Sequence, residues 1–229
     1  MKDLSRPGFL TGANPNSHIS RINLNVNSMK KMLYSVAGVF VALAITGCCK
    51  CPGDCTNLSS VSVPIRPQET NNWCWIACSQ MVHQYFGGSI DQCTLANTML
   101  GRTDCCNPEG DADCPKTNAC NTPGNTRAAI ESLGYTLSQA DAPLAWDVLR
   151  KQIYCAKKPM VFADGAAGGG VGHVRVIYGY VMAGGQRWIS LSDPWSPCVG
   201  SDDIVTYEEY SNTSGPGRVH RRTLHNMTK

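Results

Sequence analysis

The apolar residues of this 229-residue chain change their spacing once, between Tyr154 and Pro159, and that change narrows the possible architectures more than any other feature. Before it, apolar side chains recur at helical intervals. Trp75, Ile76, Cys78, Met81, Val82, Tyr85 and Phe86 follow a helical period from Trp73 to Phe86, which stops at Gly87-Gly88. Asp91 to Leu100, Asn125 to Leu133 (closed by Gly134) and Pro143 to Tyr154 repeat the pattern. After it, Pro159 to Ala163, His173 to Val181, Gln186 to Ser192 and Val205 to Tyr207 are short runs suited to strands. Helices first and an antiparallel sheet afterwards predict an α+β domain. A hydrophobic content of 42% and a charged content of 16% suit one globular domain with additions rather than two domains. The net charge is only +3, and no Lys/Arg cluster is interleaved with aromatics, so no nucleic-acid partner is expected.

The additions are at the N-terminus. Residues 1–28 are polar and read as an upstream leader outside the fold. Met29-Lys30-Lys31-Met32 then opens a basic flank, Leu33 to Ile45 is almost wholly apolar, and Ile45-Thr46-Gly47-Cys48 closes the segment. A basic flank, a short apolar run and small terminal residues describe a secretory signal at 29–47, too short for a comfortable membrane span. The ending resembles a bacterial lipoprotein box. That implies a lipid thioether on Cys48, membrane attachment through this anchor, and a place in the bacterial cell envelope, at the outer membrane or cell surface. An ordinary signal peptide or a lone anchor is the alternative. Residues 48–62 read as a tether with a leading strand, and 63–229 as the globular domain.

Cysteine usage agrees with export, since thirteen cysteines is far above ordinary usage and an exported chain can pair them. Cys105, Cys106, Cys114 and Cys120 sit in sequence rich in Asn, Pro, Gly and Asp with no period. Such a group could bind zinc. In an exported protein a loop held by disulfides is favoured, and no metal or other cofactor is expected. With Cys48 and Cys74 set aside, an odd number of cysteines remains, so at least one thiol is free or pairs between chains.

Cys74 is set aside because of Gln68-Glu69-Thr70-Asn71-Asn72-Trp73-Cys74-Trp75. A reacting thiol needs a route to thiolate and a donor facing the oxyanion it creates. The N–H groups and partial charge at a helix N-terminus assist the first. Gln68, one short loop earlier, can supply the second. The missing base must be one of five histidines. His18 is in the leader, and His220 and His225 fall in a basic, polar tail. His83 is about two and a half turns along the helix from Cys74 and on another face. His173 remains, opening a strand after the glycine-rich loop 165–172.

A base needs an orienting partner. Asp193 follows the strand that Ala183-Gly184-Gly185 connects to the His173 strand as a hairpin. Directly paired residues share a face of the sheet. A simple two-residue turn at Gly184-Gly185 pairs odd numbers with even ones and puts His173 and Asp193 on opposite faces. Their joint use therefore requires an odd-length loop or a bulge.

Gln68 six residues before Cys74-Trp75, a later Gly172-His173 at a strand start, then Asp193-Pro194-Trp195, together resemble the papain-like cysteine peptidases. The similarity is greatest to the compact bacterial branch of staphopains, C39-like peptidases and AvrRpt2-type effectors, and covers about residues 62 to 210. It implies an N-terminal helical half with the cysteine on a central helix and a sheet carrying His and Asp. The roles it implies are Cys74 as nucleophile, His173 as general base then acid, Asp193 as its orienter, and Gln68 with the Cys74 N–H as oxyanion hole. Trp195 would shield the His–Asp hydrogen bond from water. The substrate would be a peptide or protein, and the enzyme a monomer. The Cys-rich loop departs from the pattern, as does Cys78, one turn behind Cys74, which is expected to be a disulfide partner. Two other functions are compatible with the same residues: a transglutaminase-like or deamidating acyltransferase, and a non-enzymatic, disulfide-rich surface binding protein.

Overall fold

In the computed structural model, residues 55–107, 114–116, 118–169, 172–211 and 218–229 are described. The leader, the signal segment, and Cys48 with the rest of the tether up to residue 54 lie outside the described residues.

Four helices lie where the apolar period puts them: α1 (Cys74–Tyr85), α2 (Gln92–Leu100), α3 (Thr126–Ser132) and α4 (Trp146–Tyr154). A fifth, α5, is a short turn at Tyr207–Ser211. The strands are β1 (Leu58–Ser60), β2 (Thr136–Ala140), β3 (Met160–Ala166), β4 (His173–Ala183), β5 (Gln186–Asp193), β6 (Ser201–Thr206) and β7 (Arg218–Thr228). They form one antiparallel sheet in the order β2-β7-β3-β4-β5-β6, with β1 also paired to β4. The α+β arrangement read from the sequence is the one observed.

Both faces of the sheet are covered. One face carries α1 and α3, whose Cys78, Met81, Val82 and Ile130 pack on Val161, Val174, Val176, Leu224 and Met227. The other carries α4 and α5 through Leu149, Ile153 and Tyr210, against Phe162, Ile177, Tyr180, Ile189 and Leu191. A third apolar cluster joins the helices to one another and to the Cys-rich loop, through Trp73, Ile76, Leu95, Ala129, Cys105 and Cys120. The helix that starts at Cys74 is therefore buried on two sides, which holds its first turn rigidly.

The sheet corrects two sequence expectations. Residues 218–228, taken with His220 and His225 as a polar tail, form β7, a strand between β2 and β3. Its buried residues are few, chiefly Thr223, Leu224 and Met227, and a bulge interrupts the register, so no alternation marks it in the sequence. The last expected strand also runs earlier: β6 ends at Thr206 and Tyr207 begins α5.

The β4–β5 hairpin meets the parity requirement in a specific way. Its turn is the two-residue Gly184-Gly185, both with positive φ (60° and 76°) as a tight primed turn demands. From Ala183↔Gln186 to Gly179↔Ser190 odd pairs with even; between Gly179 and Ile177 the register shifts, and Ile177 pairs with Leu191. The bulge at Tyr178 thus returns odd-numbered residues of both strands to one face. There β4 also changes neighbours on its other edge, from β1 to β3.

Candidate active site

Cys74 is the first residue of α1. The N-cap is Trp73, no side chain caps the helix, and no acidic residue sits in the first turn. The orphan N–H groups of that turn are therefore left to a ligand or an anion, and the helix dipole favours negative charge on the sulfur. Trp73 is held by Nε1 donating to Cys120 O at 2.8 Å, and Asn72 by its backbone N–H and Nδ2 donating to Asn121 Oδ1 and O. The cysteine is buried but lines a cleft of about 490 Å³ that opens beside it.

His173 and Asp193 meet across the hairpin. His173 Nε2 lies 2.6 Å from Asp193 Oδ1, and Cys74 is near enough to the imidazole to favour its charged form. With Nε2 committed to the carboxylate, Nδ1 is the nitrogen left for Cys74. Burial opposes charge on His173, but the hydrogen bond and negative charge of Asp193, together with Cys74, outweigh it, and the pKa is raised from 6.5 to about 9. The stability contributed by this charge is full below pH 6.5 and is lost as pH rises through about 9. Burial works against an ionised Asp193 as well. The bond from His173, the imidazolium charge, the Trp195 N–H and Arg175 reverse that effect and hold its pKa below the usual carboxylate value.

Asp193 has more partners than the sequence suggested. Arg175 Nε donates to Oδ2 at 2.7 Å, and the Trp195 backbone N–H donates to Oδ1 at 2.8 Å. Arg175 also reaches Asp164 Oδ2 at 3.2 Å, and Arg218 pairs with the same carboxylate. Asp164 stands directly opposite His173 in the β3–β4 register. The site is backed by a chain of alternating charge, Asp193–Arg175–Asp164–Arg218, in which each buried carboxylate has a cationic partner. Sequence reasoning missed it. The available signal was period two, because Arg175 is two residues after His173 on the same strand and shares its face.

Gln68 is fully buried, beside the segment that follows Asp193: its N–H donates to Pro194 O and its carbonyl accepts from Cys198 N. Its Nε2 donates to Thr70 O at 2.7 Å, which leaves one amide hydrogen uncommitted. Trp195 is 50% exposed, and the contact it makes with the site is through its backbone N–H.

The other cysteines divide sharply. Cys93–Cys106, Cys105–Cys120 and Cys114–Cys198 are disulfides, and Cys155 is also disulfide-bonded. Asp104, Cys105 and Cys120 cluster as metal ligands would, but the two sulfurs are bonded to each other. Cys78, expected to be a disulfide partner, is a free, buried thiol that donates to Val174 O at 3.3 Å. One helical turn behind Cys74 it points into the sheet, where no second cysteine faces it among the described residues, and burial pushes its pKa well up.

Residues 57–211 match the family described as the papain-like cysteine protease AvrRpt2, and the chain belongs to that family. Among solved structures it is similar to the peptidase domain of Streptococcus ComA, a bi-functional ABC transporter involved in a quorum-sensing pathway. The identity is 15% and the TM-score 0.41, over 72% of this chain and 98% of that chain. No curated protein matches the sequence.

Proposed function

From that membership, we propose that this cysteine peptidase hydrolyses peptide bonds with Cys74, His173 and Asp193, and does so as an exported, lipid-anchored protein of the bacterial envelope. The observation that carries the catalytic assignment is Asp193 held on His173 at 2.6 Å, with Cys74 near enough to act on the same imidazole, at an uncapped helix start that opens on a cleft.

Transfer of the Cys74 proton to His173 gives a thiolate–imidazolium pair, held by Asp193 and by the helix dipole. The thiolate attacks the scissile carbonyl carbon, and the carbonyl electrons move to oxygen. The Cys74 N–H and the uncommitted amide hydrogen of Gln68 are the proposed donors to that oxyanion. Collapse breaks the C–N bond as His173 protonates the leaving amine. The neutral imidazole then takes a proton from water, whose oxygen attacks the thioester, and release of the acid restores the thiol. Asp193 keeps the ring oriented throughout and stabilises its cationic form.

Export is supported by the disulfides, which persist outside reducing compartments. Cys48 is the proposed lipid attachment point, and Cys48→Ala should lose incorporation of a labelled fatty acid.

Iodoacetamide labelling at limiting reagent tests the catalytic assignment. Cys74 should label selectively over Cys78 and Cys55, and His173→Ala should reduce the rate to that of an ordinary thiol. Unselective labelling, or cleavage of a casein substrate that survives Cys74→Ala, would overturn it.

A further inference from the structure

The cleft beside Cys74 is lined by two guanidinium groups, Arg221 and Arg222, and by no carboxylate. Consecutive residues of a regular strand point to opposite faces. β7 departs from that rule here. Ala163 pairs with Arg222 and Asp164 with His220, which leaves Arg221 as an extra residue in a bulge. Bulges re-aim side chains beside functional sites, and this one lets both arginines line the same cleft. Ala163 pairs in turn with Val174 on β4. All three residues in this row, Arg222, Ala163 and Val174, line the cleft.

The two cations are not consumed by the protein. Asp193 and Asp164 are already paired with Arg175 and Arg218. Arg221 is anchored by Nη2 donating to Ala166 O at 2.9 Å, while its buried Nε has no acceptor. The space it occupies exists because residue 165 is glycine: a Cβ there would collide with Arg221 Nε. Arg222 makes no side-chain hydrogen bond or ion pair among the described residues. A half-buried cationic pair with an unsatisfied donor, next to a nucleophile, is suited to an anion.

We propose that Arg221 and Arg222 form a carboxylate-selecting subsite, so that this peptidase prefers substrates with an Asp or Glu side chain close to the scissile bond. The proposal rests on the peptidase reading above. Both arginines lie on β7, beyond residues 57–211 that match the family, so family membership does not supply this preference.

Internally quenched peptides blocked at both ends exclude terminal carboxylates and test it. A matched set carries Asp, Glu, Asn, Gln or Lys at each of the three positions on either side of the cleaved bond, and is digested by the full chain. At one position Asp or Glu should exceed Lys in kcat/KM by about tenfold or more and should also exceed its amide. The preference should fall with added salt and reverse in Arg222→Glu. Arg222→Gln and Arg221→Gln should flatten it, and Cys74 alkylation in each variant checks that the site is intact. Cleavage without an acidic preference, or a preference unchanged in all three variants, would overturn the subsite while leaving the peptidase standing. If no peptide is cleaved although Cys74 is alkylated, the peptidase reading fails and the subsite fails with it.

Discussion

On one side of Cys74 the cleft is walled by loop residues 123–125, which lead into α3 at Thr126, and on the other by β3, β4 and β7. The loop wall has almost no regular hydrogen bonding of its own. Cys105–Cys120 fastens it from behind, and Trp73 and Trp75 hold it by donating to Cys120 O and Thr122 O. Cys114–Cys198 extends the same stapling past Gln68 to the turn after Asp193. The sheet wall contains no disulfide among the described residues. Strand ladders hold it, and alternating charges link His173 to Arg218. The difference teaches where each kind of restraint is used: covalent links fix a loop whose backbone cannot support itself, whereas charge pairs on a sheet can also set the protonation of the groups they hold.

The largest effect should come from the sheet wall. Asp193→Asn removes the partner that orients His173 and stabilises its cation, and should cut kcat/KM by about 10³–10⁴-fold. The basic limb of the pH–rate profile, expected near the His173 value of about 9, should move down. A pH–rate profile that keeps its limb near 9 in the variant would mean that Asp193 does not tune the histidine.

Next comes Arg175→Gln, which leaves Asp193 and Asp164 with one cation fewer. A loss of about 3–5 kcal/mol in unfolding free energy is expected from breaking such a buried pair, read by urea titration. The proton affinity of Asp193 should also rise, so the acidic limb of the rate profile should move to higher pH, with partial rescue by Arg175→Lys. Unchanged limbs would reduce Arg175 to a packing role.

The loop wall should behave differently. Replacing Cys105 and Cys120 by Ser opens a link with a sequence separation of 15, and should cost about 3 kcal/mol of stability. Below the unfolding transition, the shape of the pH–rate profile should not change. A shifted profile in this variant would erase the distinction between the two walls.

Much of this was legible in the sequence. The four long helices follow from apolar period, and Cys74 and His173 stand out as a thiol at a helix start and an imidazole at a strand start. Parity even showed that the hairpin needed an irregularity. The remainder was hidden for identifiable reasons. β7 has few buried residues, and its bulge destroys the alternation by which strands are recognised. Arg175 reads as an ordinary strand residue until Asp193 and Asp164 are brought to it from two other strands. Cys78 has the burial of a disulfide cysteine and lacks only a partner, which no count of cysteines reveals.

By itself, then, the sequence determined local periodicity, element order and the chemical types available for a thiol site, because these depend on neighbours a few residues apart. The tertiary structure alone decided the bulge at Tyr178, which sulfurs pair, which carboxylate answers which arginine, and that Arg221 and Arg222 share a cleft with Cys74. Those outcomes depend on strand register and on contacts between distant segments. A shift of one residue in a strand sends every side chain to the opposite face.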